Sequence, residues 1–352
     1  MAKKKAPSVP ATSPATPEPP AATAAPAADG AAPAAAGERK PTKTARKIES
    51  LAQSVITAAR RQNDPSIDVP VRALSNVQFD EKRRIIEMGD RTQRRSLFNL
   101  SDARRFMQTM LVASACKEVV DQGITTSIRD IFYHCLHNVG DTAEETFNGQ
   151  DESDQCIEDL EVTLDSLREE LGLHAENRGA MVGPAVIVDR GDVIDLSRMG
   201  SGGWSIPSVV EPNIIEFRRC DAAFVLLIEK GAIWNRFNED RFWQRNRCLI
   251  IHGNGQPPRG VRRLCYRLHK ELKLPVYVLT DNDPWGYYIY SVVKQGSINL
   301  AYESKRMSIP DARFIGMSSF DKDRFGLPNG VTLKLEDDDK KRAKQIINYP
   351  WF

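Results

Sequence analysis

Pro275-Val-Tyr-Val-Leu-Thr-Asp-Asn-Asp-Pro-Trp-Gly286 runs from an apolar, β-prone stretch straight into a turn that carries two aspartates. An apolar run without polar alternation is what a parallel strand buried on both faces requires. Asp-Asn-Asp-Pro cannot prolong it, because aspartate favours turns and proline has no N–H to give to a ladder. Two comparable runs lie upstream. Ala222 to Ile228 is continuous in apolar residues and ends in Glu229, and Cys248 to Ile251 ends in the turn His252-Gly-Asn-Gly255. Between the second run and the third, Val261, Leu264, Leu268 and Leu272 recur at helical spacing. Strands alternating with helices predict an α/β domain with a parallel sheet. Glu229, Asp281 and Asp283 then fall just past the carboxyl ends of two strands, where open α/β sheets place their ligands.

N-terminal to this region the period is helical. Ser101 is a plausible N-cap, Phe106, Met110 and Ala113 share a face, and Gly123 sits where the helix would stop. Ser127-Ile-Arg-Asp130 fits a capping box, and Ile128, Ile131, Phe132, Cys135 and Leu136 form the apolar stripe behind it. A third helix is expected from about Asp154 to Leu171, ended by Gly172, followed by Gly179, Gly183 and the β-prone Ala185 to Val188. Helices followed by a short hairpin are how a winged helix-turn-helix reads in sequence, although many helical domains would read alike. The expected architecture is therefore α+β followed by α/β. Residues 1–48 are a disordered Ala/Pro-rich tail, 49–190 a winged-helix (CAP-like) domain and 191–352 the α/β domain. The Gly/Ser/Trp-rich stretch Met199 to Pro207 lies near the junction.

Length and composition agree with two folded domains plus a tail: 352 residues, 41% hydrophobic and 27% charged. The formal charge of +2 is uneven, because residues 1–50 hold eight Lys/Arg against four Asp/Glu and leave the remainder at −2. Any nucleic-acid site must therefore be a local patch, for which Arg60, Arg61, Lys82, Arg83, Arg84, Arg94, Arg95, Arg104 and Arg105 are candidates; a solvated helix surface is the alternative. No apolar stretch is long enough to cross a bilayer, and Lys3 to Lys5 lead into Ala and Pro rather than a signal-peptide core, so no membrane association and a cytoplasmic location are expected. The six cysteines are single, with no CxxC pair, which points to reduced thiols.

Two constellations carry chemistry. On the helix from Ile128, Arg129, Tyr133 and His137 are spaced i, i+4, i+8 and form a row beside the buried stripe, so a phenol is presented with a cation one turn away. A protonated phenol attacks poorly, and Arg129 could both favour the phenolate and hold a phosphate. The alternative is a half-buried tyrosine with a stacked arginine. Glu229, Asp281 and Asp283 supply the hard oxygen ligands that Mg²⁺ prefers in phosphoryl transfer; the alternative for Asp-Asn-Asp-Pro is a turn whose aspartates bond their own backbone. Gly253, Gly255 and Gly260 flank Gln256-Pro-Pro-Arg259 and leave room for a phosphate or simply form a loop. His134 and His137 have helical i, i+3 spacing but no evident third metal ligand.

Thr126-Ser-Ile-Arg-Asp-Ile-Phe-Tyr133-His134 resembles the catalytic tyrosine motif of the topoisomerase VI A subunit, shared with its relatives that make meiotic double-strand breaks. Glu229-Lys230, Gly253-Asn-Gly-Gln-Pro257 and Leu279-Thr-Asp-Asn-Asp-Pro-Trp-Gly286 resemble the Toprim fold as that family carries it. The likeness extends from about Arg95 to the end, with Gly202-Gly-Trp-Ser-Ile-Pro207 and Gly296-Ser-Ile-Asn-Leu-Ala-Tyr302 included. It implies a Toprim α/β domain after the winged-helix DNA-cleavage domain, and attack by Tyr133 on double-stranded DNA to give a 5′-phosphotyrosyl link. Arg129 would assist, Phe132 being the second aromatic of the motif. Glu229, Asp281 and Asp283 would hold Mg²⁺, with Glu229 also moving a proton. Arg129, Lys230 and Arg259 would contact DNA. It also implies a homodimer in which one protomer's tyrosine works with the other's acids, and an ATP-binding GHKL-class B subunit completing an A2B2 heterotetramer that passes strands, relaxing or decatenating DNA. Family members usually continue with more helix beyond Tyr349-Pro-Trp-Phe352, so a shortened C-terminus is expected; the Ala/Pro tail is outside the shared pattern. The rival functions are a break-forming transesterase of the meiotic type, a non-catalytic DNA-binding scaffold and, more remotely, a metal-dependent glycosyltransferase that would leave the Arg129–Tyr133 row unexplained. Arg95 to Leu100 and Arg105 to Thr109 resemble topoisomerase VI more closely.

Overall fold

Thr42 caps the first described helix: its hydroxyl accepts from the Ala45 N–H at 3.1 Å, and α1 spans Lys43–Arg60. The computed structural model describes residues 41–352, so most of the expected tail lies outside the described residues. Its last part is not tail but helix, because Thr44, Ala45 and Ile48 are buried and Ile48 joins the helical core. Four strands that the sequence pattern did not announce follow, β1 (Ser66–Pro70), β2 (Val77–Asp80), β3 (Ile85–Met88) and β4 (Thr92–Ser96). β1 pairs antiparallel with β4, and β2 with β3.

Helix α2 (Leu100–Gln122) is capped by Asn99, whose side chain accepts from the Ser101 N–H, so Ser101 lies inside the first turn rather than at the cap. Gly123 ends it with φ +65, the left-handed conformation glycine adopts without strain. A two-residue strand β5 (Thr126–Ser127) leads into α3 (Ile128–Cys135), and α4 covers Gln150–Leu164. The third expected helix thus begins earlier and breaks sooner: Asp165 is left-handed, and a single 3-10 turn carries the chain on to Leu171. β6 (Leu173–His174) pairs parallel with β5, which ties the entrance of α3 to the exit of the helical segment. Ile131, Cys135, Ile157, Leu160 and Leu171 pack with Val112 and Cys116 in one core.

The expected wing belongs elsewhere. After β7 (Ala180–Val182), β8 (Ala185–Asp189) and β9 (Asp192–Asp195) do form a hairpin, but β8 pairs on its other edge with β11 (Ile215–Cys220), with β10 (Trp204–Ser205) between them in sequence. Ala185, Ile187 and Ile215 are buried in the core of the C-terminal sheet, not in the helical core. A boundary at 190 therefore cuts a hairpin.

The C-terminal sheet matches the sequence reading. β12 (Phe224–Ile228) is followed by α5 (Gly231–Glu239), α6 (Phe242–Asn246), β13 (Cys248–His252), α7 (Arg259–Leu272), β14 (Val276–Leu279), α8 (Pro284–Lys294), α9 (Ser304–Met307) and β15 (Arg313–Phe314). The six-stranded order is β10-β7-β13-β12-β14-β15, parallel from β13 to β15, with β7 and β10 antiparallel at one edge. Val225, Leu227, Leu249 and Ile251 face one core, while Leu226, Ile228, Cys248 and Ile250 face another that holds Trp234 and Trp243. Burial of both faces is why these strands read as unbroken apolar runs. Among the described residues, no helix is long and apolar enough to cross a membrane.

A buried ion-pair network joins the helical segment to this sheet. The Glu161 side chain on α4 has no exposed surface; it accepts from Arg259 Nη1 and Nη2 at 2.9 and 2.8 Å, from Arg168 Nε at 3.0 Å and from the Tyr302 hydroxyl at 2.5 Å. Arg259 also pairs with Glu303, which in turn meets Arg306 at 3.0 Å. Arg259, expected from the resemblance to contact DNA, has its guanidinium occupied here by two buried carboxylates. Breaking one side of such a network strands the other charge in the interior. Glu161→Leu is expected to lower the unfolding free energy by about 3–5 kcal/mol in a denaturant titration, and a loss below about 1 kcal/mol would show the network to be idle.

Candidate active site

The capping box expected at Ser127 is formed: Ser127 Oγ accepts from the Asp130 N–H at 3.0 Å, and the Asp130 carboxylate accepts from the Ser127 N–H at 3.3 Å. With β5 before it and Ile131 and Cys135 buried beneath it, this eight-residue helix has a fixed start and a fixed inner face. Tyr133 stands on the outer face with 53% of its surface exposed, and Arg129 Nη2 donates to its hydroxyl at 3.2 Å. The Arg129 guanidinium carbon lies 5.7 Å from the tyrosine ring centroid, and the hydrogen bond to Tyr133 holds its proton more firmly than usual. Phe132 turns inward, its ring 6.3 Å edge-on from the buried Phe147, and so backs the tyrosine 5.2 Å away.

His137 does not complete the row. Leu136 leaves the helix with extended backbone angles, because the buried Thr146 hydroxyl donates to the Cys135 carbonyl at 2.6 Å and accepts from the His137 N–H at 3.2 Å. Nothing in the sequence marked Thr146, yet it decides where the tyrosine helix ends. His134 faces Glu118 at 3.7 Å, not His137.

The acids sit where the strand pattern placed them. Glu229 follows β12, its N–H donates to the Leu279 carbonyl at 3.0 Å, and its carboxylate accepts from the Asp281 N–H at 3.2 Å. Asp281 pairs with Lys230, so that lysine is engaged with an acid rather than free for DNA. Asp283 is the N-cap of α8 and accepts from the Gly286 N–H at 2.7 Å, the turn role weighed against metal binding. Among the described residues, no three His, Cys, Asp or Glu side chains converge into a ready-made metal cage. Unscreened carboxylates repel one another, and here Lys230 and the amino end of α8 draw two of the three aside. Burial, with Asp281 and Asp283 nearby, pushes the Glu229 carboxyl above its ordinary range, and the Lys230 ammonium is the cation paired with Asp281.

No hydrogen bond or ion pair among the described residues links Tyr133 or Arg129 to Glu229, Asp281 or Asp283 within one chain; Arg129's nearest acidic influences are Glu176 and Asp130. Most of the basic candidates are also engaged. Arg95 and Arg105 share Asp159 with Arg72, Arg83 meets Glu87, Arg84 meets Asp311, and Arg104 donates to the Glu145 carbonyl. Arg60, Arg61, Lys82 and Arg94 remain exposed.

Three family models cover most of the described chain: "Type IIB DNA topoisomerase" over residues 104–173, the all-beta domain of the DNA topoisomerase VI alpha subunit over 175–221, and the Toprim domain of the topoisomerase 6 A subunit/Spo11 family over 224–352. Fold and family models together define a type II DNA topoisomerase component with a Toprim domain. The relative from Pyrococcus horikoshii, named as the A subunit of type 2 DNA topoisomerase 6, is 44% identical over 322 residues, 89% of this chain and 84% of its own length. Those from Sulfurisphaera tokodaii (38% identical; 88% and 84%) and Haloarcula marismortui (36%; 82% and 78%) carry the same name. The chain belongs to the family of type 2 DNA topoisomerase 6 A subunits.

The raised proton affinity of Glu229 has a consequence for stability. Its folded state keeps a proton that the unfolded chain releases near 4.5, so the contribution of Glu229 to stability falls as pH rises from 4.5 through its higher folded value. Glu229→Gln removes that loss. The variant is expected to melt no lower than the wild type at pH 7 and to show a flatter melting-temperature profile just above pH 4.5; a lower melting temperature at pH 7 would contradict the assignment.

Proposed function

We propose that this chain is the DNA-cleaving subunit of a type IIB topoisomerase, with Tyr133 as the residue that joins DNA. The observation that carries this reading is an exposed phenol hydrogen-bonded to an arginine on a helix whose start, inner face and end are all pinned. Tyr133 Oη gives up its proton to solvent and attacks a backbone phosphorus, the bond to the 3′ oxygen breaks, and the products are a 5′-phosphotyrosyl link and a free 3′ hydroxyl. Arg129 holds the phenolic oxygen and takes up the negative charge of the phosphate. Glu229, with its elevated proton affinity, is the group suited to deliver a proton to the departing oxygen and recover it on religation.

Glu229, Asp281 and Asp283 are the residues that would hold a magnesium ion, with Lys230 released from Asp281 to meet the DNA backbone. When bound, such an ion offsets charge on the phosphate oxygens and the leaving oxygen. The helical segment, roughly residues 41–173, acts as the winged-helix cleavage domain and 224–352 as the Toprim domain, with the all-β segment between them. Because tyrosine and acids do not meet within one chain, a homodimer in which each active site draws on both copies fits the geometry. The relatives are named as one component of a larger enzyme, which implies a second kind of chain. We assign that chain as the ATP-hydrolysing partner in an A2B2 assembly that couples cleavage to strand passage.

Incubation of the chain and its ATP-hydrolysing partner with 5′-labelled or 3′-labelled duplex and Mg²⁺, followed by denaturation, is expected to leave the 3′ label but not the 5′ label on the wild-type polypeptide, and neither on Tyr133→Phe. An adduct that survives in Y133F assigns the nucleophile elsewhere. Asp281→Asn is expected to raise the Mg²⁺ concentration needed for half-maximal adduct by at least about tenfold, the cost of roughly 1.4 kcal/mol of lost charge attraction. An unchanged requirement would remove Asp281 from the metal site.

A further inference from the structure

The first turn of α8 follows the Asp-Asn-Asp-Pro turn directly, and a second helix holds it. The last described helix, Asp337–Ile347, lies along α8. At the far end of α8, Ile346 and Trp351 are buried, and the Trp351 carbonyl accepts from Gln295 Nε2 at 3.1 Å. At the near end Arg342 is clasped by two rings of α8. Its guanidinium carbon is 4.2 Å from the Trp285 ring centroid and 4.4 Å from that of Tyr288, and the two rings meet at 90° with centroids 6.4 Å apart. Arg342 Nε is buried without a hydrogen-bond partner, although three aspartates precede it on the same helix. Asp337 pairs instead with Lys340, and Asp339 accepts from the Glu336 N–H.

Gly286, between those two rings in sequence, is the joint with the acids. Its N–H donates to the Asp283 carboxylate at 2.7 Å, and it has no room for a Cβ, because the Asp281 carbonyl oxygen already fills that place. Asp281 in turn donates its N–H to the Glu229 carboxylate. A shift of the first turn of α8 therefore moves the Asp281 backbone and the Asp283 side chain together. We propose that Arg342 is a positioning residue for the acids: held between Trp285 and Tyr288, it fixes the first turn of α8 and, through Gly286, the spacing of Asp281 and Asp283. A cation is attracted to the face of an aromatic ring, most strongly to tryptophan, and here one guanidinium serves two rings. Arginine adds a planar stack that lysine lacks. The inference rests on the reading of Asp281 and Asp283 as magnesium-holding residues, and it adds that a side chain from a separate helix sets their geometry.

The test uses the full chain without DNA, wild type beside R342M, R342K and D281N. R342M keeps an apolar stem against the rings and removes the cation. Hydrogen exchange in metal-free buffer is read on the peptide that holds Gly286, and binding of magnesium chloride is read by titration calorimetry. R342M is expected to exchange the Gly286 amide at least about threefold faster and to bind Mg²⁺ at least about threefold more weakly. Its melting temperature and the exchange of β12 and β13 are expected to stay as in the wild type. R342K, a cation without the planar stack, is expected to fall between R342M and the wild type in both readouts. Exchange and Mg²⁺ binding by R342M equal to the wild type overturn the proposal, as does a loss in R342M that R342K does not partly recover. If R342M does not fold, the same measurements on R342K and on W285F, which offers a weaker ring face, decide. D281N separates the two levels. Wild-type Mg²⁺ binding by D281N sinks the magnesium reading and this inference with it, whereas weak binding by D281N beside normal binding by R342M sinks this inference alone.

Discussion

Glu161 is a carboxylate removed from water, and three donors from two parts of the chain converge on it: Arg168 from its own helical segment, and Arg259 and Tyr302 from the sheet side. Ionised groups in the interior are tolerated only when paired and fully hydrogen-bonded. Any slippage of α4 along α7 would strand a charge, so the network selects one relative placement more than it adds net stability. That placement fixes the platform carrying the tyrosine helix relative to the platform carrying the acids. Arg259 reaches Glu161 through both Nη1 and Nη2, and the same Nη2 also pairs with Glu303.

What the sequence made legible follows from where burial is two-sided or local chemistry is strong. β12, β13 and β14 were readable because both faces are apolar, and α3 because Ser127 and Asp130 form a reciprocal cap. β4, Thr-Gln-Arg-Arg-Ser, was not, since its side chains are exposed or half-exposed and carry no period-2 signal. The hairpin at Ala185 to Asp195 was legible as a hairpin, but its destination depends on Ile215, thirty residues away in a different segment, which no local pattern encodes. The ion pairs of Arg259 and the departure of His137 from the helical row were hidden for a related reason. A cation beside glycines reads as a phosphate contact until a distant carboxylate claims it, and a helical row persists on paper until Thr146 bonds the last carbonyl.

The Asp-Asn-Asp-Pro turn carries two kinds of work in four residues. Asp283 caps α8 through Gly286 while Pro284 opens the helix at a position where a missing N–H costs nothing. Asp281 is left to interact outward, and Glu229 receives its N–H. The turn that ends β14 thereby also sets the spacing of the acids, so a structural reading and a chemical reading of Asp283 are not exclusive. A capping carboxylate retains a second oxygen for an incoming cation, at the expense of the electrostatic help it gives the helix.

Charge distribution closes the physical picture. The chain beyond residue 50 is formally slightly acidic, and Arg72, Arg83, Arg84, Arg95 and Arg105 pair with carboxylates of the same chain. Arginines held this way orient elements but contribute little to a long-range field, since each is matched at contact distance. The exposed cations left without a carboxylate, Arg129 among them, are then the ones able to attract a polyanion, and that attraction is screened by salt. The proposed homodimer answers the separation of tyrosine from acids within one chain, and two copies on one duplex would add their phosphate contacts together, so that the exponent of the salt dependence grows with them.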